Sequence, residues 1–328
     1  MAPTSPPPTP VIIDCDPGHD DVFAIWLAAG NPALDVRAVT TVAGNGTLEH
    51  TTLNARIALS VAGVHNVPVA AGASQPLSRA AKPAADIHGA NALGGPATLP
   101  EPTGVPLDPR SAVDLMADTL LASESPVTLI PTGPLTNIAA LLAARPDVVP
   151  AIREIIWMGG AVDRGNVTPY AEFNAWADPE AAEVVFKAAR SEAAGGLGIK
   201  LTMVGLNVTH QALVTDEVIA RVEAVDNATA AFGVQLLRFF CKTYAEVQGM
   251  PAAPLHDPVT VAIAIDRAVA TVVRTHVDVE TRGEFTAGAT SVYLLDQAKG
   301  KDKNADVAMQ LDVQRFWDLI VGSVERLA

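Results

Sequence analysis

The chain has 328 residues, 49% of them hydrophobic and 18% charged, which is enough apolar material for one large α/β domain or two ordinary ones. A formal net charge of −14 argues against a phosphate-backbone partner, which needs a basic stripe, so no nucleic acid is expected. Two cysteines without metal-type spacing, Cys15 and Cys241, read as reduced thiols, and no stretch has the length and freedom from Gly, Pro and charge of a membrane span.

Residues 1–10 form a Pro-rich lead that lacks a basic start and an apolar signal core. Disorder is expected there, with no targeting role, and a soluble cytoplasmic protein is the default. Strands are then predicted at Val11–Ile13, Val36–Val42, Val127–Ile130, Glu154–Met158, Leu201–Val204 and Thr275–Glu280. Helices are predicted at Asp21–Ala29, Thr51–Ala62, Ala112–Ala122, Leu135–Arg145, Pro179–Ala189 and Asp216–Asn227. Such alternation reads as an open, mostly parallel, Rossmann-like α/β sheet flanked by helices, with the ligand crevice beyond the carboxyl ends of the strands. No repeat or composition break divides residues 11–328, so one domain is expected. Three excursions could wall the crevice: Ala71–Pro109, dense in Pro and Gly, Gly159–Pro179, and Gly249–Leu255.

The most informative segment is Asp14-Cys15-Asp16-Pro17-Gly18-His19-Asp20-Asp21, four carboxylates in eight residues straight after the first strand. Like charges this close repel unless a cation, protons or strong donors neutralise them. No Lys or Arg lies nearby in sequence, so a hard divalent cation with oxygen ligands is the economical explanation. Asp20 and Asp21 could instead cap a helix, but that leaves Asp14 and Asp16 unexplained. Asp257, in His256-Asp257-Pro258, could be an ordinary N-cap before a proline or another ligand for the same cation. His256 beside it would suit a proton donor. The Pro131–Asn137 turn exposes carbonyls that suit a hard cation, although any strand–turn–helix needs Gly and Pro. Asn166, Glu172 and Asn174 share a loop with Phe173 and Trp176, a set suited to a polyhydroxylated ligand with a flat ring or to a plain solvated loop. Asn45 falls in the same crevice by topology; His88, in Asp86-Ile87-His88-Gly89, could join it, although a lone loop histidine is more often incidental. No G-x-S-x-G elbow, P-loop or Cys/His zinc pattern is present, and no G-x-G-x-x-G follows the first strand.

These residues resemble the inosine–uridine-preferring nucleoside hydrolases, whose first motif has the form D-x-D-P-G-x-D-D. The likeness continues through Thr41–Asn45, Pro131–Asn137, Met158–Gly160, Ala171–Asn174, Asp178–Ala181, Val208–Gln211, His256–Pro258, Arg282–Glu284 and Asp312–Trp317, nearly the whole chain from Val11. It implies hydrolysis of the N-glycosidic bond of ribonucleosides to ribose and free base, in nucleoside salvage, with bound calcium. The implied calcium ligands are Asp16, Asp21, Asp257 and the Thr132 carbonyl. Asp20, Asn45, Asn166, Glu172 and Asn174 would hold the ribose, and Asp16 would take a proton from a water held by the ion. By the same pattern His256 helps protonate the departing base with Tyr244 as a partner, and His88 and Phe173 line the base pocket. A homotetramer or homodimer is also implied.

Three positions depart from the pattern. His19 stands where relatives usually carry an apolar residue, Asn207 replaces a common acid, and Gln248 replaces an arginine found in some relatives near the base pocket. Two other readings compete. An aspartate-nucleophile phosphatase also begins with D-x-D after a first strand, but needs a placed lysine, and the nearest, Lys82, sits in a Pro-rich loop. A calcium-stabilised nucleoside-binding protein without turnover is the other, and intact Asp16 and His256 speak against it.

Overall fold

A computed structural model describes residues 7–328. The first strand, β1 (Thr9–Cys15), is buried on both faces: Val11, Ile13 and Cys15 join one apolar cluster while Ile12 joins the other. That two-sided burial is what an uninterrupted apolar run means in a parallel sheet. Then follow α1 (His19–Ala29), β2 (Leu34–Thr41), α2 (Leu48–Val61), β3 (Val69–Ala71), α3 (Ala85–His88), α4 (Ala112–Ala122), β4 (Val127–Pro131) and α5 (Thr136–Ala144). The middle of the chain supplies β5 (Ile152–Met158), α6 (Phe173–Ala177), α7 (Pro179–Ala188), β6 (Leu201–Val204), α8 (Leu206–Thr209), α9 (Asp216–Glu223), α10 (Ala228–Val247) and α11 (Pro258–Ile265). The chain closes with β7 (Ala270–Thr275), β8 (Val277–Val279), β9 (Thr290–Val292), β10 (Ala305–Leu311) and α12 (Val313–Val324).

Eight strands form one sheet in the order β3-β2-β1-β4-β5-β6-β10-β7, parallel except for β7, which runs antiparallel to β10; β8 and β9 pair separately. Helices α1, α2, α10, α11 and α12 contribute to the cluster on one face, and α4, α5 and α7 to that on the other. Strands leave β1 in both directions, so the crevice opens between the carboxyl ends of β1 and β4. There the Thr132 N–H donates to the Asp14 carbonyl (2.8 Å), bringing the acidic turn and the Pro131–Asn137 turn side by side. No helix among the described residues is long and apolar enough to cross a membrane.

Several boundaries differ from expectation. Most of the expected disordered lead, residues 1–6, lies outside the described residues, while Thr9 and Pro10 belong to β1. The strand expected over Thr275–Glu280 is two, interrupted at His276, whose ring contacts the Asp302 carbonyl (2.6 Å) and Asp278 (3.0 Å). The helix expected to reach Asn227 stops at Glu223, because Asp226 takes a left-handed φ of 56° and Asn227 caps α10 by accepting the Ala230 N–H at 2.8 Å.

Two helical glycines separate propensity from packing. A Cβ on Gly233 of α10 would come within 2.9 Å of Phe23 and 3.0 Å of Trp26, both fully buried rings. On Gly322 of α12 it would meet only the Arg326 guanidinium at 3.9 Å. Alanine is favoured over glycine in a helix by about 1 kcal/mol, whereas overpacking a core costs about 1–3 kcal/mol. Gly322→Ala should raise the urea midpoint and Gly233→Ala should lower it. Shifts of the same sign would mean that helix propensity decides both.

Candidate active site

β1 runs into the acidic turn and α1 opens at its far side, so Asp14, Asp16, Asp20 and Asp21 are all buried. Asp257 comes from the distant start of α11, and its carboxylate makes no capping bond, so the N-cap explanation does not account for it. Carboxylate oxygens of Asp20, Asp21 and Asp257 lie within 4.8 Å of one another. Asp21 does accept the Gly18 N–H (3.0 Å), as a capping acid would, but it also takes bonds from the Thr132 hydroxyl (2.7 Å) and the Asn45 amide (3.2 Å). Asp16 lies against this group. Its Oδ2 accepts the Asn45 backbone N–H at 2.6 Å, and its Oδ1 is sealed from solvent with no partner. Gly44 and Gly133 allow it that position, since a Cβ on either would lie 2.0 or 2.5 Å from an Asp16 oxygen. Asp14 is bound differently, accepting from Thr40 (2.6 Å) and Asn137 (2.8 Å), and so ties β1 to β2 and α5.

Burial raises every one of these carboxyls. Asp14 and Asp20 are pushed up to about 7, and the charge of neighbouring carboxylates adds to the rise for Asp16, Asp20 and Asp257. The donors around them are neutral hydroxyls, amides and backbone N–H groups.

Above the cluster opens a cavity of about 310 Å³, walled by Asp20, Asn45, His88, Thr132, Asn166, Glu172, Phe173, Asn174, Tyr244 and Asp257. Asp16, Asp21 and His256 do not reach its wall. Two of the three excursions contribute, and the third, Gly249–Leu255, places no residue on the wall. Lys82 to His88 come from the first, Asn166 to Trp176 from the second, and Gln248 lies just before the third. Within the second, Glu172 caps α6 by accepting from Asn174 (2.8 Å) and Ala175 (3.1 Å), and also takes the Gly160 N–H (2.7 Å); burial raises its carboxyl to about 7. Asn166 accepts the Phe173 N–H at 2.9 Å, and the Asn174 amide donates to the Thr132 carbonyl at 2.7 Å.

His256 stands behind Tyr244. Its Nε2 is 2.8 Å from the Tyr244 hydroxyl and its Nδ1 is 2.7 Å from the Thr209 hydroxyl, while burial lowers the imidazole and raises the phenol. Tyr244, expected as the partner, is therefore the group that faces the cavity. Thr209, Asn137 and the Thr132 side chain were missed as parts of the site. Thr209 lies in the quoted Val208–Gln211 segment, but a lone threonine carries no chemical signal until its histidine partner is known. Asn207 lies away from the cavity, its amide donating to the Ala308 carbonyl at 2.8 Å.

Residues 11–318 match the family described as inosine-uridine preferring nucleoside hydrolase. The chain belongs to that family. A pyrimidine-specific ribonucleoside hydrolase, RihA, of Shewanella woodyi is 46% identical over 317 residues, covering 96% of this chain and 98% of the other. The inosine-uridine preferring nucleoside hydrolase of Leishmania major is 43% identical over 321 residues, covering 98% of each. A solved purine-preferring ribonucleoside hydrolase from Gardnerella vaginalis superposes with a TM-score of 0.87 at 29% identity, covering 97% of this chain and 98% of that one. The protein is thus a nucleoside hydrolase, an N-ribohydrolase acting on ribonucleosides, which sets aside the phosphatase and non-catalytic readings.

The hydrolase's donor set fits a metal ion. Asp20, Asp21 and Asp257 offer converging oxygens, and Asp16 Oδ1 and Asp20 Oδ1 are sealed without protein partners. A pH-dependent stability follows. Asp20 titrates at about 7 in the folded chain against 3.8 for an ordinary aspartate. Between these values the folded state keeps a proton that the unfolded chain has lost, so stability falls as pH rises. The metal-free hydrolase should melt at progressively lower temperature from about pH 4 to about pH 7, and a divalent cation should flatten that slope. A slope that no cation alters would remove the cluster as a cation site.

Proposed function

We propose that the hydrolase holds calcium in the acidic turn and cleaves uridine as its best substrate. The observation that supports the site chemistry is Asp16 Oδ1, a buried carboxylate oxygen without a partner, beside the three converging aspartates. Asp16, Asp21, Asp257 and the Thr132 carbonyl would hold the ion, with Asp20 as a further oxygen within reach of Asp21 and Asp257. A hard cation favours an all-oxygen cage of this kind. When bound, calcium would lower the pKa of the attacking water and fix its place.

The chain's own residues do the rest. Asp16 accepts the water's proton. Asp20, Asn45, Asn166, Glu172 and Asn174 hold the ribose hydroxyls and present carboxylates and amide dipoles to the sugar ring. Cleavage builds positive charge there through an oxocarbenium-like state, and fixed acceptors stabilise it. At the other side Tyr244 meets the departing base. If Thr209 donates to His256 Nδ1 and His256 Nε2–H to Tyr244, the phenol proton points into the cavity, a chain of three donors aligned toward the leaving group. His256 therefore acts through Tyr244. Phe173 and His88 flank the base.

Uridine is chosen because it satisfies both specificities, that of the pyrimidine-specific relative and that of the inosine-uridine preferring one. A cytoplasmic, homo-oligomeric enzyme of nucleoside salvage, dimer or tetramer, completes the proposal; light scattering tests the assembly.

A kcat/KM panel over uridine, cytidine, inosine, adenosine and guanosine should place uridine first, and a purine nucleoside in first place would overturn that choice. Asp16→Asn should cut kcat roughly 10²–10⁴-fold with an unchanged melting curve, the range for loss of a general base. Near-normal turnover would remove Asp16 from that role. His256→Ala should cost about 10²-fold on uridine and much less on p-nitrophenyl riboside, whose leaving group needs no proton. Equal losses on the two would argue against a leaving-group role.

A further inference from the structure

His19, at the opening of α1, is fully buried although its chemistry is polar. Its ring lies between aromatic neighbours, with centroids 5.3 Å from Phe239, 5.2 Å from Phe240 and 5.3 Å from His88. Both ring nitrogens have partners. Nε2 is 2.9 Å from the Gly94 carbonyl, and Nδ1 is 3.1 Å from Nδ1 of His88. A carbonyl oxygen can only accept, so His19 Nε2 carries the proton. In a neutral imidazole His19 Nδ1 is then a lone pair, and the Nδ1–Nδ1 contact requires the hydrogen to sit on His88. No other tautomer satisfies both contacts without two lone pairs facing each other. His88 lines the cavity, and its remaining nitrogen, Nε2, is not sealed from solvent and has no partner among the described residues.

We propose that His19 is a positioning residue that fixes His88 as its Nδ1–H tautomer, so that His88 Nε2 faces the cavity as a hydrogen-bond acceptor and selects nucleosides whose base offers a ring N–H, the lactam bases such as uracil and hypoxanthine. This rests on the nucleoside hydrolase reading of the cavity. The contrast is built into the same turn. The backbone N–H of residue 19 also points at His88 Nδ1, but from 3.4 Å. Without the His19 ring, that N–H is the remaining nearby partner, and it needs a lone pair on Nδ1. The proton then moves to Nε2, and the group facing the base changes from acceptor to donor. Uracil and cytosine have the same shape and differ in this respect: uracil has a ring N–H where cytosine has a lone pair.

The direct test is the ¹⁵N–¹H long-range spectrum of the histidine rings in the intact wild-type enzyme, with His88→Gln used to assign the signal. His88 should show a protonated Nδ1 and a bare Nε2; a protonated Nε2 would overturn the inference without any variant of residue 19. His19→Leu should reverse the His88 tautomer and lower the uridine-to-cytidine ratio of kcat/KM about tenfold, the scale of one hydrogen bond exchanged. A folded His19→Leu enzyme with an unchanged tautomer or an unchanged ratio would overturn it. Should the wild-type protein hydrolyse neither nucleoside, the nucleosidase reading falls, and the nitrogen spectrum still decides the tautomer.

Discussion

Five carboxyl groups sunk at one end of a parallel sheet set the terms for the rest of this molecule. Two unit charges about 4 Å apart repel by roughly 4 kcal/mol at an effective dielectric constant of 20, and three of these groups bring oxygens within 4.8 Å of one another. Neutral donors soften this but do not cancel it. Thr40 and Asn137 serve Asp14, Asn45 serves Asp16 and Asp21, and Thr132 serves Asp21. The two apolar clusters that sandwich the sheet make such a site tolerable. The groups are left short of one positive partner, and an oxygen-seeking cation is the kind of partner whose binding would be strengthened by the strain.

The fold separates two chemistries by a few residues. Oxygens collect where β1 and β4 end, and aromatic and imidazole groups collect where α3 and α10 cross the crevice. A ribonucleoside has the same division, a polyhydroxylated sugar joined to a flat heterocycle. The joining bond is the one that breaks, so a cavity acidic on one side and donor-lined on the other stabilises charge of opposite sign at the two ends of that bond. Glu172 shows how scaffold and site overlap: its carboxylate caps α6 and ties down the Gly160 N–H while facing the cavity. A carboxylate that both builds a loop and lines the cavity cannot be replaced without disturbing the loop.

The acidic turn was legible because four carboxylates in eight residues have few inexpensive explanations, and Asp257 became legible only beside it. The parallel sheet was readable from the alternation of short apolar runs with helical segments. The elements that escaped notice include β10 and α12 near the end of the chain, and two whose pattern is weak or interrupted. β3 has three residues, two of them alanine. α10 begins behind Asp226 and Asn227, a pair that reads as a break and is in fact a turn followed by a cap. Supporting contacts were illegible for another reason. Thr209 to His256, Asn137 to Asp14 and His19 to His88 join residues 47, 123 and 69 positions apart, and neither member of such a pair signals its partner. Gly133 was read as turn chemistry, and the structure adds a second requirement, room for Asp16.

One turn of chain links the two halves of the site more tightly than the cavity wall suggests. Gly18 lies between Asp16 and Asp20, and a Cβ there would fall 2.3 Å from His88 Nδ1. The glycine that bends the acidic turn is therefore also the gap into which His88 fits. His19, the next residue, holds that same ring from the side while the two following aspartates face the cation cluster. Residues 18–21 therefore touch both groups: Asp20 and Asp21 bring oxygens to the acidic cluster, and the His19 ring meets His88 Nδ1 at 3.1 Å. The acidic cluster and the His88 ring are thus joined through one segment, by backbone on one side and by noncovalent contact on the other. If His88 reads the base as proposed, base choice is bound to a segment whose glycine and aspartates are already committed to the acidic turn, and loops farther out, such as the one carrying Phe173, are left to adjust fit.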